Sequence, residues 1–153
     1  MHTVTVTRTI DAPIEQVFAL LADGEGYKRI APRAIRTAKL VRPGATEKFG
    51  VGALREFDAR VFWFREEITA FEAPNRIDYR IRASRPNMDH LGGRFQLDAT
   101  PGGTKVTWTS TYRLPVPVVG ALAEKLIAGP TALAFGTLLR GIDASCRVTN
   151  SSS

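Results

Sequence analysis

With 153 residues, 44% of them hydrophobic and 24% charged, the chain has the composition of one ordinary globular domain, which excludes an intrinsically disordered chain. A single cysteine, Cys146, excludes an internal disulfide and a cysteine-cluster metal site, and fits a reducing compartment. The net charge of +6 admits nucleic acid, an acidic partner or an anionic membrane, so its placement along the chain has to decide among them.

The opening "MHTVTVTRTI" lacks a basic region followed by an apolar stretch, so no secretory signal is predicted. No apolar run approaches the roughly 20 residues of a membrane span, and the expected location is the cytoplasm. Val4, Val6 and Ile10 alternate against Thr3, Thr5, Thr7 and Thr9, which predicts a half-buried strand. "DAPIEQVFALLAD" follows, with Asp11 as N-cap candidate and Pro13 in the first turn. Ile14, Val17, Phe18 and Leu21 hold the spacing of an amphipathic helix. "DGEGYKRIAP" predicts a break and a short second helix that stops near Pro32.

From about Ala34 to Leu114 the pattern is that of six strands joined by short links, hence antiparallel. "IRTAKLV" ends at the turn-rich "RPGATEKFG". In "VFWFREEITAF" two parities stand. An inward Ile68 brings Phe62, Phe64 and Glu66 with it; Trp63 and Phe71 favour the opposite facing, and a bulge would swap faces. Glu56, beside Arg55 in "VGALREF", carries the same ambiguity. "RIDYRIRA" alternates Ile77, Tyr79 and Ile81 against Asp78, Arg80 and Arg82. "LGGRFQLDA" sets Leu91, Phe95 and Leu97 against Arg94, Gln96 and Asp98, with His90 on the outer set.

After the hairpin signal "TPGGT", the stretch "VTWTSTY" puts Val106, Trp108, Ser110 and Tyr112 on one face. That face starts apolar and turns to hydroxyls. A buried hydroxyl without a partner costs about 1–3 kcal/mol, so a side chain, a water or a bound molecule must serve Ser110 and Tyr112.

The remainder reads as helix. Val119, Leu122, Ala123 and Leu126 keep helical spacing, Gly129-Pro130 breaks or bends the run, and Phe135, Leu138, Leu139, Ile142 and Cys146 form one stripe. Arg140, Asp143 and Arg147 lie opposite that stripe. Gly136 and Gly141 either permit close approach to a strand or leave room for a ligand, and with Gly129-Pro130 they describe a helix able to shift for cargo. Residues 1–148 form one predicted domain and 149–153 a disordered tail. The order strand, two short helices, six strands, long helix predicts an α+β fold: a seven-stranded antiparallel sheet with its apolar face covered by the last helix.

Taken together, "VTVTRTIDAPIEQVFALLAD", "VGALREF", "EEITAFEAPNRIDYRI", "GGRFQLDATPGGTKVTWTSTY" and the terminal "LLRGIDA" resemble the SRPBCC, or START/birch-pollen-allergen-like, superfamily, and within it the polyketide cyclase/dehydrase-like group. The resemblance implies a helix-grip fold, in which a curved sheet wraps the C-terminal helix. It also implies an apolar cavity between them for lipids, polyketides or other hydrophobic molecules; some members are aromatase/cyclases, and many only bind.

The ligand-binding candidates are Glu56, Phe64, Glu66, Tyr79, Phe95, Trp108, Ser110, Tyr112, Phe135, Leu138 and Leu139. Phe95 and Trp108 serve equally as plain core, Tyr79 as packing, and either glutamate as half of a surface ion pair. A binder of a hydrophobic small molecule heads the functional readings. The alternative is a polyketide aromatase/cyclase drawing on Glu56, Glu66, Tyr79 or Tyr112 as acid or base. A third reading is an interaction module using the basic outer face. No cofactor and no metal are expected: neither histidine has partners at ligand spacing. Nucleic acid is not expected either, because the basic face lacks interleaved exposed aromatics. A transient contact with an anionic membrane stays open. Oligomeric state is not legible in the sequence.

Overall fold

Period-two alternation becomes seven strands in the computed structural model, which describes residues 1–60, 62–115 and 120–151. They are β1 (His2–Ile10), β2 (Thr37–Arg42), β3 (Leu54–Asp58), β4 (Trp63–Glu72), β5 (Arg76–Arg85), β6 (Asp89–Thr100) and β7 (Gly103–Arg113). One antiparallel sheet runs β1-β7-β6-β5-β4-β3-β2. Two short helices, α1 (Ile14–Ala22) and α2 (Tyr27–Ile30), follow β1, and the long α3 (Gly120–Ser151) ends the chain. The predicted helix-grip architecture holds, with the sheet curved around α3.

α1 is capped by the backbone at Pro13, without a side-chain bond; Asp11 sits too far upstream to reach the first free N–H groups. α3 is one helix of 32 residues that runs through Pro130, so of the break or bend that the sequence predicts there, the break does not occur. Pro130 lies on the exposed side, so the carbonyl it leaves unpaired faces water. The helix also continues past residue 148 to Ser151, since no Gly or Pro follows Gly141; residues 152–153 lie outside the described part. By length and composition α3 could cross a bilayer, with a mean hydropathy of 1.2 over its most apolar window, contrary to the sequence expectation. Here it is the gripped helix, with Leu138, Leu139, Ile142 and Cys146 buried against the sheet side.

The second half of α3 is firmly held. Leu139 and Ile142 are fully buried in one cluster with Ile10, Leu97, Val106 and Phe95, each such side chain contributing about 1.5–3 kcal/mol by burial. Asp143, expected on the solvent side, is buried instead. It accepts from Arg8 of β1 (Nη2 to Oδ2 2.7 Å, Nε to Oδ2 3.2 Å) and from Arg147. Gly141 approaches α2 rather than a strand: a Cβ there would lie 2.5 Å from the Ile30 carbonyl oxygen.

The first half differs. Val119 lies outside the described residues; Leu122, Leu126 and Leu133 are 61%, 69% and 69% exposed, so the apolar spacing read there marks an outward face.

Bulges set which strand residues face inward. Leu91 is skipped between the pairs His90↔Tyr112 and Gly92↔Thr111, which turns His90 to the inner face and Leu91 outward, the reverse of the predicted parity. On β4, Ile68 keeps Phe64 and Glu66 inward, and the skipped Thr69 brings Phe71 inward as well, where its ring meets Phe18 at 5.1 Å. The parity set by Ile68 thus holds up to the bulge and the Phe71 signal beyond it, whereas Trp63 faces outward beside Arg65 and Arg85.

Candidate functional site

The hydroxyls that end the inner face of β7 are served by protein groups. Tyr112 donates to the Glu124 carbonyl of α3 at 2.8 Å. Ser110 meets His90 Nε2 at 2.8 Å, and the Ile81 N–H donates to His90 Nδ1 at 3.0 Å. A nitrogen that accepts carries no proton, so the His90 proton sits on Nε2 and is donated to Ser110 Oγ. This tautomer is the reverse of the one that takes a proton from serine, so the pair is not a nucleophile and its base. Burial, aided by the Arg80 charge, lowers the His90 pKa to about 4 and keeps the ring neutral.

Tyr79 stacks on His90, with ring centroids 5.4 Å apart, and accepts from Trp108 Nε1 at 2.8 Å. It lies flat over its cross-strand partner Gly93, where any Cβ would come within 2.1 Å of the ring. Glycine at 93 thus creates the space that holds the phenol. Burial raises the Tyr79 pKa. Phe95 packs on Trp108 at 4.5 Å, and Phe135 of α3 stacks on the other side of that indole at 3.7 Å. Sheet and helix therefore meet at Trp108.

Beside this cluster lies a buried ion pair. Arg55 Nε donates to Glu66 Oε1 at 2.7 Å, and Nη2 bonds the same oxygen. Arg55 Nη1 donates to the Leu21 and Ala22 carbonyls at 3.1 and 3.3 Å, closing the C-terminus of α1. Its guanidinium lies over the Tyr27 and Phe57 rings. Burial opposes the Arg55 charge, but Glu66 and Tyr27 outweigh it and raise the pKa.

Of the predicted residues, Phe64, Glu66, Tyr79, Phe95, Trp108, Ser110 and Tyr112 line the inner face, with Phe135, Leu138 and Leu139 opposite on α3. Glu56 does not join them. It lies on the outer face, bound by Arg65 Nε at 2.7 Å and Lys39 Nζ at 3.1 Å, and the Arg65 hydrogen bond chiefly holds its pKa down. Tyr112 is tied to α3 at the far end of β7, and Glu66 is engaged by Arg55, so the four acid–base candidates do not converge.

Sequence reasoning missed His90 and Arg55. The glycine pair 92–93 signals the bulge that turns His90 inward. Arg55 alternates with buried Ala53 and Phe57, opposite an inward glutamate.

Solvent reaches one part of the inner surface. Phe64 and Ile81 on the sheet and Phe135 on α3 are apolar, pack at the edge of the core between the two layers, and are only half-buried. α3 packs on β1, β7, α1 and α2, which leaves its first half standing off β4 and β5. The outer face is a lattice of ion pairs, with Arg82 on Glu67 and Arg94 bidentate on Asp78. Among the described residues no three metal-ligating side chains cluster.

Comparison with known proteins places this geometry. The family model described as polyketide cyclase / dehydrase and lipid transport matches residues 1–142. An uncharacterized protein of Mycobacterium tuberculosis is 30% identical over 118 residues, covering 74% of this chain and 68% of its own. Among solved structures, a Thermus thermophilus protein superposes with TM-score 0.80 at 25% identity, covering 99% of this chain and 100% of its own. A START superfamily protein from Mycobacterium smegmatis gives 0.74 at 18% identity, with 97% and 99% covered. A major latex-like protein from Panax ginseng gives 0.73 at 17% identity, with 95% and 97% covered. The last two likenesses speak to the fold alone. With residues 1–142 matched by one family model, the chain belongs to the polyketide cyclase / dehydrase and lipid transport family.

Proposed function

We propose that this protein binds and carries a hydrophobic small molecule, a lipid or a polyketide, between β4–β5 and the first half of α3. One observation carries the reading: inward-facing Phe64, Ile81 and Phe135 stay half-buried while the deeper Phe95, Leu97 and Leu139 are fully buried. An apolar wall that solvent reaches is what a guest covers. The test is displacement of anilinonaphthalene sulfonate by a panel of fatty acids, sterols and aromatic polyketides, with thermal unfolding alongside. A binder present at 100 times its Kd adds about 2.7 kcal/mol of stability. A panel that neither displaces the dye nor moves the Tm overturns the reading.

A second reading, aromatase/cyclase chemistry, is favoured by one feature: Glu66 and Tyr79 share the inner face within electrostatic reach of each other. Glu66 is already engaged by Arg55, which sets this reading second.

Delivery at an anionic membrane fits the surface of α3. Its acids Glu124 and Asp143 are both buried, while Lys125 and Arg140 are exposed beside the leucines at 122, 126 and 133. The expected result is co-sedimentation with phosphatidylglycerol-containing vesicles and not with pure phosphatidylcholine. The pair Leu126→Asn and Leu133→Asn should weaken it at least several-fold. Unchanged sedimentation of that variant would remove α3 from the account. The cytoplasm of a bacterial cell is the proposed setting.

A further inference from the structure

Resting on the hydrophobic-ligand reading above, the hydrogen-bond chain around Tyr79 says something more about the guest. The chain has a direction. Ile81 N–H donates to His90 Nδ1, which puts the ring proton on Nε2; that proton goes to Ser110 Oγ. Ser110, having accepted, has its own proton to give, and the Tyr79 hydroxyl on the next strand but one accepts from Trp108 at 2.8 Å. Trp108 Nε1 can only donate, so it fills one acceptor position of the Tyr79 oxygen. Each hydroxyl oxygen thus accepts from a ring N–H and keeps its own proton to give. Among the described residues the Tyr79 hydroxyl gives its proton to no acceptor, although the residue is only 4% exposed. The nearby Glu66 carboxylate is held by Arg55 through Oε1. Gly93 beneath the ring and His90 stacked on it fix the phenol where it is, so the proton cannot be carried out to water by a swing of the side chain.

We propose that Tyr79 is the polar anchor of the ligand site and that it selects hydrophobic guests with an acceptor oxygen, a ketone or ester carbonyl, at their buried end. Half-buried Ile81 follows on the same strand face and half-buried Phe64 lies on the next strand, so the carbon chain of such a guest would run from the phenol along apolar wall towards solvent. A pure hydrocarbon leaves the donor unpaired.

The probes are methyl nonyl ketone and the alkene that replaces its C=O by C=CH2, compared by displacement of anilinonaphthalene sulfonate. The ketone should bind about tenfold more tightly to the wild-type protein. Tyr79→Phe should bring the ratio to about one while leaving the affinity for the alkene within about twofold. Independently of any variant, the carbonyl stretch of an isotope-labelled ketone bound to the wild-type protein should move to lower frequency than in alkane solvent. Equal affinities in the wild-type protein, or an unshifted stretch, overturn the inference and leave the carrier reading standing. Failure of both probes to bind overturns both.

Discussion

Replacing Glu66 by alanine is expected to cost about 3–5 kcal/mol of folding stability, because it strands a guanidinium in a water-free interior. Arg55 is 2% exposed, and its donors are committed to Glu66 and to the end of α1. In a chain of this size that corresponds to a Tm lower by roughly 10 °C or more. The double replacement Arg55→Met with Glu66→Leu should recover much of the loss, since two packed apolar side chains remove the desolvation that the pair has to offset. Chemical denaturation of the two variants beside the wild type checks both statements. A single variant within about 1 kcal/mol of wild type would show that the pair does not hold β3, β4 and α1 together.

Acidification should weaken the fold before the carboxylates titrate. The folded state keeps His90 neutral to about pH 4, whereas an unfolded histidine protonates near 6.5. Between those values the unfolded chain binds the extra proton. Stability is therefore full above about pH 6.5 and falls as pH drops to about 4, by roughly 3 kcal/mol in all. Glu56, Asp58 and Glu124 have lowered pKa values, so their contributions are lost only at lower pH, below the usual carboxylate range near 4. His90→Gln should flatten the curve between pH 4.5 and 6.5. A variant that keeps the wild-type slope there would assign the slope to another group.

The fold was legible because its signals are redundant. Alternation in β1, β5 and β7, the hairpin at "TPGGT" and the stripe from Phe135 to Cys146 each survive a local error. The site was legible only where no bulge intervenes. Tyr79, Trp108 and Ser110 follow their strands' alternation. His90 sits one residue before a bulge, and a shift of one residue exchanges the two faces of a strand. Glu66 was left with both facings open, and its partner was not foreseen, because an arginine between alanine and phenylalanine reads as outward until the opposing strand is known. The orientation of α3 was the hardest: three leucines at helical spacing normally mark a core, and nothing local says that the helix stands off the sheet at that end.

That stand-off has a consequence for how such a molecule changes over time. The chassis ends where Gly141 touches Ile30 and Asp143 grips Arg8; upstream, the helix wall from 121 to 134 is mostly in contact with solvent. Apart from buried Glu124, substitutions in that wall carry little folding cost, so one frame can be refitted for a different cargo without being rebuilt.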